Sequence, residues 1–225
     1  TVNLQDVNDE SPVFTSDAAI GLDENTQAVV ELTVTDPDAA DANTATFEIT
    51  GGADDGLFEI VNGDELQFKT ADIPDFEVPT ADGGGQAYVV IVTASDGADT
   101  ANTAAQTITV TIADVNDESP AFTSADAIGL DENTQAVVEL AATDADAQDT
   151  VTFEITGGAD DGLFEIVNDD ELRFNADDVP DFEVSTAAGG GQAYVVIVTA
   201  SDGADPANTV AQTITVTIAD VNDED

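Results

Sequence analysis

The chain repeats itself, and each copy must fold by the same rules. The phrase Asp114-Val115-Asn116-Asp117-Glu118-Ser119-Pro120 stands at the middle of 225 residues, occurs also at Asp6 to Pro12, and returns shortened at Asp220 to Glu224. The spacings, 114 − 6 = 108 and 220 − 114 = 106 residues, define two whole repeats with a junction at each end. Phe47 to Asn62 is identical to Phe153 to Asn168, and Gly83 to Asp99 is identical to Gly189 to Asp205, as in duplicated modules of a larger array. A solenoid unit is roughly 20 to 45 residues long, so this period suits an independent domain with its own core. The expected division is residues 1–10 as the end of a preceding repeat and its linker, 11–117 as a first domain, and 118–225 as a second domain with the start of the next linker. A piece bounded by such junctions is expected to be an excerpt of a longer protein.

Periodicity within a copy points to strands. In Thr107 to Ala113, Ile108, Val110 and Ile112 alternate with threonines, the pattern of a strand with one buried face. Further strands are expected at Val13 to Thr15, Gln27 to Thr35, Ala45 to Thr50, Leu57 to Val61, Glu65 to Lys69 and Ala87 to Ala94. Between them lie turn signals: Gly51-Gly52 with Asp54-Asp55-Gly56, Asn62-Gly63, and Asp82 to Gly85. About seven short strands per repeat, with no helical period, predict an all-β fold of Greek-key β-sandwiches. Phe14, Phe47, Phe58, Phe68, Phe76, Tyr88 and Tyr194 are expected in the cores.

Charge decides which partners are conceivable. Forty-nine acidic residues face two basic ones, Lys69 and Arg173, for a formal charge of −47. Such self-repulsion weakens a compact state unless counter-ions relieve it, so cations are the expected partners. Phosphate binding needs clustered Lys or Arg, which excludes nucleic acid and disfavours an anionic membrane surface. Disorder, the other reading of an acidic chain, conflicts with the 42% hydrophobic content and its alternating runs. There is no cysteine, hence no disulfide framework, and no apolar run of membrane-spanning length.

Chemistry narrows further. Without His or Cys the chain lacks Ser-His and Cys-His pairs and the usual zinc ligands. Carboxylate pairs of the glycosidase type remain conceivable, but with so many acids chance supplies them, and no enzyme is expected. Gly51 to Gly56 lacks the Lys and helix of a phosphate loop and reads as a turn, with a small opening for an extra cation. Plentiful hard oxygen ligands suit calcium, which takes six to eight oxygens in flexible geometry; magnesium demands a stricter octahedron.

Five acidic phrases recur in order in both copies, and together they resemble cadherin domains. The first copy has Glu24-Asn25, Asp36-Pro37-Asp38, Asp75-Phe76-Glu77, Ala94-Ser95-Asp96-Gly97 and the junction Asp114-Val115-Asn116-Asp117, followed by Pro120-Ala121-Phe122. The second has Glu132-Asn133, Asp144-Ala145-Asp146, Asp181-Phe182-Glu183, Ala200-Ser201-Asp202-Gly203 and Asp220-Val221-Asn222-Asp223. The resemblance covers essentially the whole chain and implies two tandem cadherin-like, Ig-like sandwiches arranged end to end, with calcium between them. At the central joint it implies ligands from Glu24, Asp75 and Glu77, from Asn116 and Asp117 by side chain, from Val115 and Glu118 by carbonyl, with Asp114 close by, and from Asp144, Asp146 and Asp202. About three ions per joint are implied. Partial sets would be Asn8, Asp9, Asp36, Asp38 and Asp96 at one end, and Glu132, Asp181, Glu183, Asn222 and Asp223 at the other.

Some features depart from the family pattern. Glu118 ends the junction where Asn is usual, and the loop Ala39 to Thr44 differs in length from Ala147 to Thr150. The chain has no Trp, so tryptophan strand exchange has no residue to work with. Extreme acidity and absent cysteine fit a prokaryotic cadherin-like repeat of a large surface or secreted protein. Three functions follow as alternatives: calcium-stiffened extracellular repeats for cell or surface adhesion, engaging neighbouring repeats or like modules on another cell; a calcium-dependent polysaccharide-binding module; or a passive spacer. Two Tyr as the only large polar aromatics argue against a sugar platform. Acids such as Asp17, Glu31, Glu48 and Asp99 read as solvated outer-face residues.

Overall fold

A computed structural model of the chain describes residues 8–38, 45–96, 102–146, 150–203 and 207–222. Asp223, Gly97, Asp99, residues 1–7 and the loop Ala39 to Thr44 lie outside the described residues. The chain divides into two compact units, Thr1–Val115 and Asn116–Asp225.

In the first unit the strands are β1 (Val13–Phe14), β2 (Ala19–Asp23), β3 (Ala28–Glu31), β4 (Val34–Thr35), β5 (Thr46–Gly51), β6 (Phe58–Val61), β7 (Glu65–Phe68), β8 (Ala87–Ser95) and β9 (Thr103–Ala113). One sheet has the order β2-β9-β8-β5, the other β3-β7-β6, and β1 pairs with β4. Pairing is antiparallel except for β2, which runs parallel to β9 with Ala19 opposite Thr109 and Asp23 opposite Ala113. The inward residues Tyr88, Val90 and Val92 of β8 and Ile108, Val110 and Ile112 of β9 pack against Val29, Phe58, Leu66 and Phe68 of the facing sheet. The core is thus the inner faces of a two-layer sandwich. Phe14, Phe47 and Phe76 are partly buried against it.

The second unit repeats the plan with β10 (Ala121–Phe122), β11 (Ala127–Asp131), β12 (Ala136–Glu139), β13 (Ala142–Thr143), β14 (Thr152–Gly157), β15 (Phe164–Val167), β16 (Glu171–Phe174), β17 (Ala193–Ser201) and β18 (Thr209–Ala219). Its sheets are β11-β18-β17-β14 and β12-β16-β15, with β10 paired to β13. Tyr194 and Phe174 meet edge to face with ring centroids 5.3 Å apart, as do Tyr88 and Phe68. Each buried hydroxyl accepts a backbone N–H, from Thr80 and Thr186 respectively, at 3.2 Å.

Three strand expectations are corrected. Gln27 to Thr35 is not one strand: it breaks at the buried Leu32, and β3 and β4 on either side belong to different sheets. Leu57 belongs to a 3-10 turn, Asp55–Leu57, ahead of β6. β2 is an additional strand, and β9 begins four residues earlier than its clearest alternation, at Thr103.

The Gly51 to Gly56 turn also has a definite structural task. Gly52 adopts φ +116, and a Cβ there would lie 2.4 Å from the Val89 carbonyl oxygen, so only glycine fits. The turn delivers Asp54, 4% exposed, into the molecule. Its two carboxylate oxygens accept the N–H groups of Asp82 at 2.6 Å and Val89 at 2.7 Å. Asp160 does the same for Ala188 and Val195 in the second unit. Both oxygens serve the backbone, so this acid has a structural task in the sandwich.

Candidate metal centre

The candidate ligands collect at the two ends of each sandwich, and local backbone chemistry puts them there. At the C-terminal end of the first unit, β2 delivers Glu24 and the chain then turns through Asn25 at φ 59, a left-handed conformation that Asn tolerates well. The Asn25 N–H is tied to the Pro74 carbonyl, which draws the turn against the segment carrying Asp75 and Glu77. Glu24 is 3% exposed and accepts the N–H of Phe76 at 2.7 Å and of Val115 at 2.9 Å. One carboxylate therefore pins two candidate segments together. Oxygens of Glu24 and Glu77 lie within 4.8 Å of one another, as do those of Glu77 and Asp114. Asp75 is exposed and accepts the Val78 N–H through one oxygen.

The same end of the second unit carries the same device. Glu132 accepts N–H groups from Phe182 at 2.7 Å and Val221 at 2.8 Å, and Glu132, Asp181 and Glu183 each offer an oxygen within 4.8 Å of the others. The N–H of Phe182, then that of Val221, hold the Glu132 carboxyl below the usual glutamate range. It is therefore charged at neutral pH. Asp220 and Asn222 are exposed beside it.

At the N-terminal end of the first unit, Asp36 closes a tight turn by accepting the Asp38 N–H at 2.9 Å. Asp38, 6% exposed, in turn accepts the N–H groups of Asp9 and Glu10. In the second unit Asp144 accepts the Asp146 N–H, and Asp146 accepts that of Glu118 at 3.0 Å. Among the described residues, the other oxygen of Asp36, like that of Asp144, is buried and meets no hydrogen-bond donor. A buried carboxylate oxygen left so is costly unless a cation meets it, so the donor chemistry fits a hard metal ion. Asp96 and Asp202 are 3% and 5% exposed at the same ends. The carboxyl of Asp202 accepts the Asn208 N–H at 3.2 Å, while the side chains of Asn8 and Asn116 accept the amides of Asn102 and Asn208. Asp117 and Glu118 are exposed, and Val115 is 36% exposed.

Two pairs of residues carry no mark in the sequence. Asp54 and Asp160 are indistinguishable from dozens of other acids, and Asn102 and Asn208 touch partners 94 and 92 positions away. The two basic residues are engaged with partners other than the candidate ligands: Arg173 pairs with Glu165 at 3.0 Å, and the Lys69 amine donates to the Gly56 carbonyl.

A Greek-key-type sandwich with carboxylates gathered at both ends, repeated in tandem, defines a class of modular proteins. Both units are cadherin-like domains, and the fold is that of cadherin ectodomains. The chain is 31% identical over 212 residues to mouse cadherin EGF LAG seven-pass G-type receptor 2, a match covering 90% of this chain and 7% of that protein. It superposes on the extracellular domain of protocadherin gammaB4 with a TM-score of 0.68 at 24% identity, covering 98% of this chain and 34% of the other. On human protocadherin-24 EC1-2 the TM-score is 0.71 at 16% identity, covering 95% and 100%. No protein-family model matches the chain. The chain spans less than a tenth of the length of the curated relatives it matches. Among the described residues no helix is long and apolar enough to cross a membrane.

Proposed function

We propose that these are calcium-binding extracellular adhesion repeats, without catalytic activity, in which ions bound around Asp114 to Glu118 stiffen the joint between successive domains of a rod. The first unit would supply Glu24, Asp75 and Glu77, the junction Val115, Asn116, Asp117 and Glu118 with Asp114 close by, and the second unit Asp144, Asp146 and Asp202. Residues 11–117 and 118–225 are then successive repeats, each meeting neighbours at a junction phrase. About three ions would occupy the central joint. The outer sets, Asn8, Asp9, Asp36, Asp38 and Asp96, and Glu132, Asp181, Glu183, Asn222 and Asp223, would be completed by adjoining repeats.

The observation that carries the reading is the convergence of Glu132, Asp181 and Glu183 within 4.8 Å, with both basic side chains of the protein engaged elsewhere. Charge of one sign gathered in one place calls for a cation from solution, and salt screening, with a length of about 8 Å at physiological strength, does not act inside such a group. A calcium supplies a hard, multidentate centre when bound. The residues provide fixed oxygens, because backbone N–H groups orient Glu24, Asp38, Glu132 and Asp146 beforehand. A bacterial source is supported by composition alone, since the relatives found are animal proteins.

Calorimetric titration with bound-ion counting tests the proposal, together with small-angle scattering with and without chelator. Uptake of calcium accompanied by a longer mean end-to-end distance is the expected result. A wild-type chain that takes up no calcium refutes it.

A further inference from the structure

We infer that Asn208 is a positioning residue for the metal site at the N-terminal end of the second unit, holding Asn116 of the junction and Asp202 of the sandwich in one fixed arrangement. The inference rests on the calcium reading above.

Asn208 sits just before β18, which begins at Thr209. Its side-chain amide donates to the Asn116 side-chain oxygen at 3.0 Å and to the Asn116 carbonyl at 3.4 Å. Its own backbone exchanges two bonds with Asp202: the Asn208 N–H donates to the Asp202 carboxylate at 3.2 Å, and the Asn208 carbonyl accepts the Asp202 N–H at 3.3 Å. One residue therefore joins two proposed ligands that stand 202 − 116 = 86 positions apart. A single NH2 group reaching two oxygens of the same residue sets both the backbone and the side-chain orientation of Asn116.

The arrangement is built into the repeat. In the first unit Asn102 donates to the Asn8 side-chain oxygen at 2.5 Å and to the Asn8 carbonyl at 3.3 Å, and its carbonyl accepts the Asp96 N–H at 3.4 Å. Nothing in folding the sandwich requires a linker residue to be caught this way. The core lies between the sheets, and Asn116 lies before the first strand, β10. Donors behind metal ligands fix their orientation, and losing one typically weakens metal affinity by about 10- to 100-fold.

The repeat supplies its own control. Asn102→Ala removes the same contact from the first unit, at the N-terminal end of that unit. Calcium titration of the full chain as wild type, Asn208→Ala and Asn102→Ala, with melting and amide exchange in calcium-free buffer, separates positioning from folding. Asn208→Ala is expected to weaken the tightest class of calcium sites by about tenfold or more. It should also speed exchange at the Glu118 amide in the calcium-free protein, while lowering the melting temperature no more than Asn102→Ala does. Asn102→Ala should leave the tightest class unchanged. If wild type binds calcium and Asn208→Ala binds as tightly, or if Asn102→Ala weakens the same class equally, the positioning role is overturned while the calcium reading stands. A wild type that binds no calcium overturns both.

Discussion

Replacing Asp54 by alanine isolates a structural carboxylate from the proposed ligands. The side chain is 4% exposed, and its oxygens accept backbone N–H groups of Asp82 and Val89 at 2.6 and 2.7 Å. Alanine leaves both donors unpaired. A hydrogen bond to a charged group contributes about 1.5 to 3 kcal/mol, so losing the two part-buried bonds is expected to cost about 3 to 5 kcal/mol. For a domain of this size 1 kcal/mol moves the melting midpoint by roughly 4 to 8 °C, so the first unit should melt roughly 12 to 40 °C lower. Asp54→Asn keeps one acceptor but turns an NH2 toward the other N–H, and should fall between. Each unit holds one tyrosine and the chain has no Trp, so in a Tyr194→Phe background the emission of Tyr88 follows the first unit alone. The same loss should appear with chelator and with calcium, and Asp160→Ala should reproduce it in the second unit. A shift below roughly 4 °C, or a loss present only in calcium, would show that Asp54 does not act through these backbone bonds.

Calcium at a hundredfold excess over its dissociation constant should add about 2.7 kcal/mol per site, read as a rise in melting temperature that chelator reverses. Gly52→Ala should destabilise the first unit by more than about 3 kcal/mol in urea unfolding, because the new methyl would stand 2.4 Å from the Val89 oxygen at a φ of +116. Tyr88→Phe, which removes the acceptor of the Thr80 N–H, should cost about 1 kcal/mol. Arg173→Gln should change stability by less than about 1 kcal/mol, since its pair with Glu165 is part-exposed. In calcium-free buffer the lowered folded-state pKa of Glu132 makes its contribution fully present above the unfolded glutamate value, about 4.3, and lost as pH falls through the folded value. Urea midpoints of Glu132→Gln against wild type should therefore converge on the acid side of that range.

Much of the sandwich was legible because β8, and β9 from Thr107 onward, bury alternate residues. What escaped is non-local. β2 holds only two large apolar residues around Gly21 and exists as a strand because β9 lies beside it. The break at Leu32 is a change of sheet, which an apolar run cannot express. The carboxylate groups were legible as recurring phrases. Their organisation by backbone donors was not: Glu24 is set by N–H groups 52 and 91 positions away, and Asn208 differs from other asparagines only in what it reaches.

The parallel pairing of β2 with β9 bears on how a domain takes load. β2 is close to where the chain enters the first unit and β9 ends where it leaves, and five residue pairs from Ala19–Thr109 to Asp23–Ala113 join them side by side. Tension applied through the two ends draws these strands along their axes in opposite directions. The ladder is sheared, with its bonds strained together, instead of being peeled open one by one. β11 and β18 repeat the arrangement, so each unit meets stretching with a clamp whose strength comes from the direction of two strands.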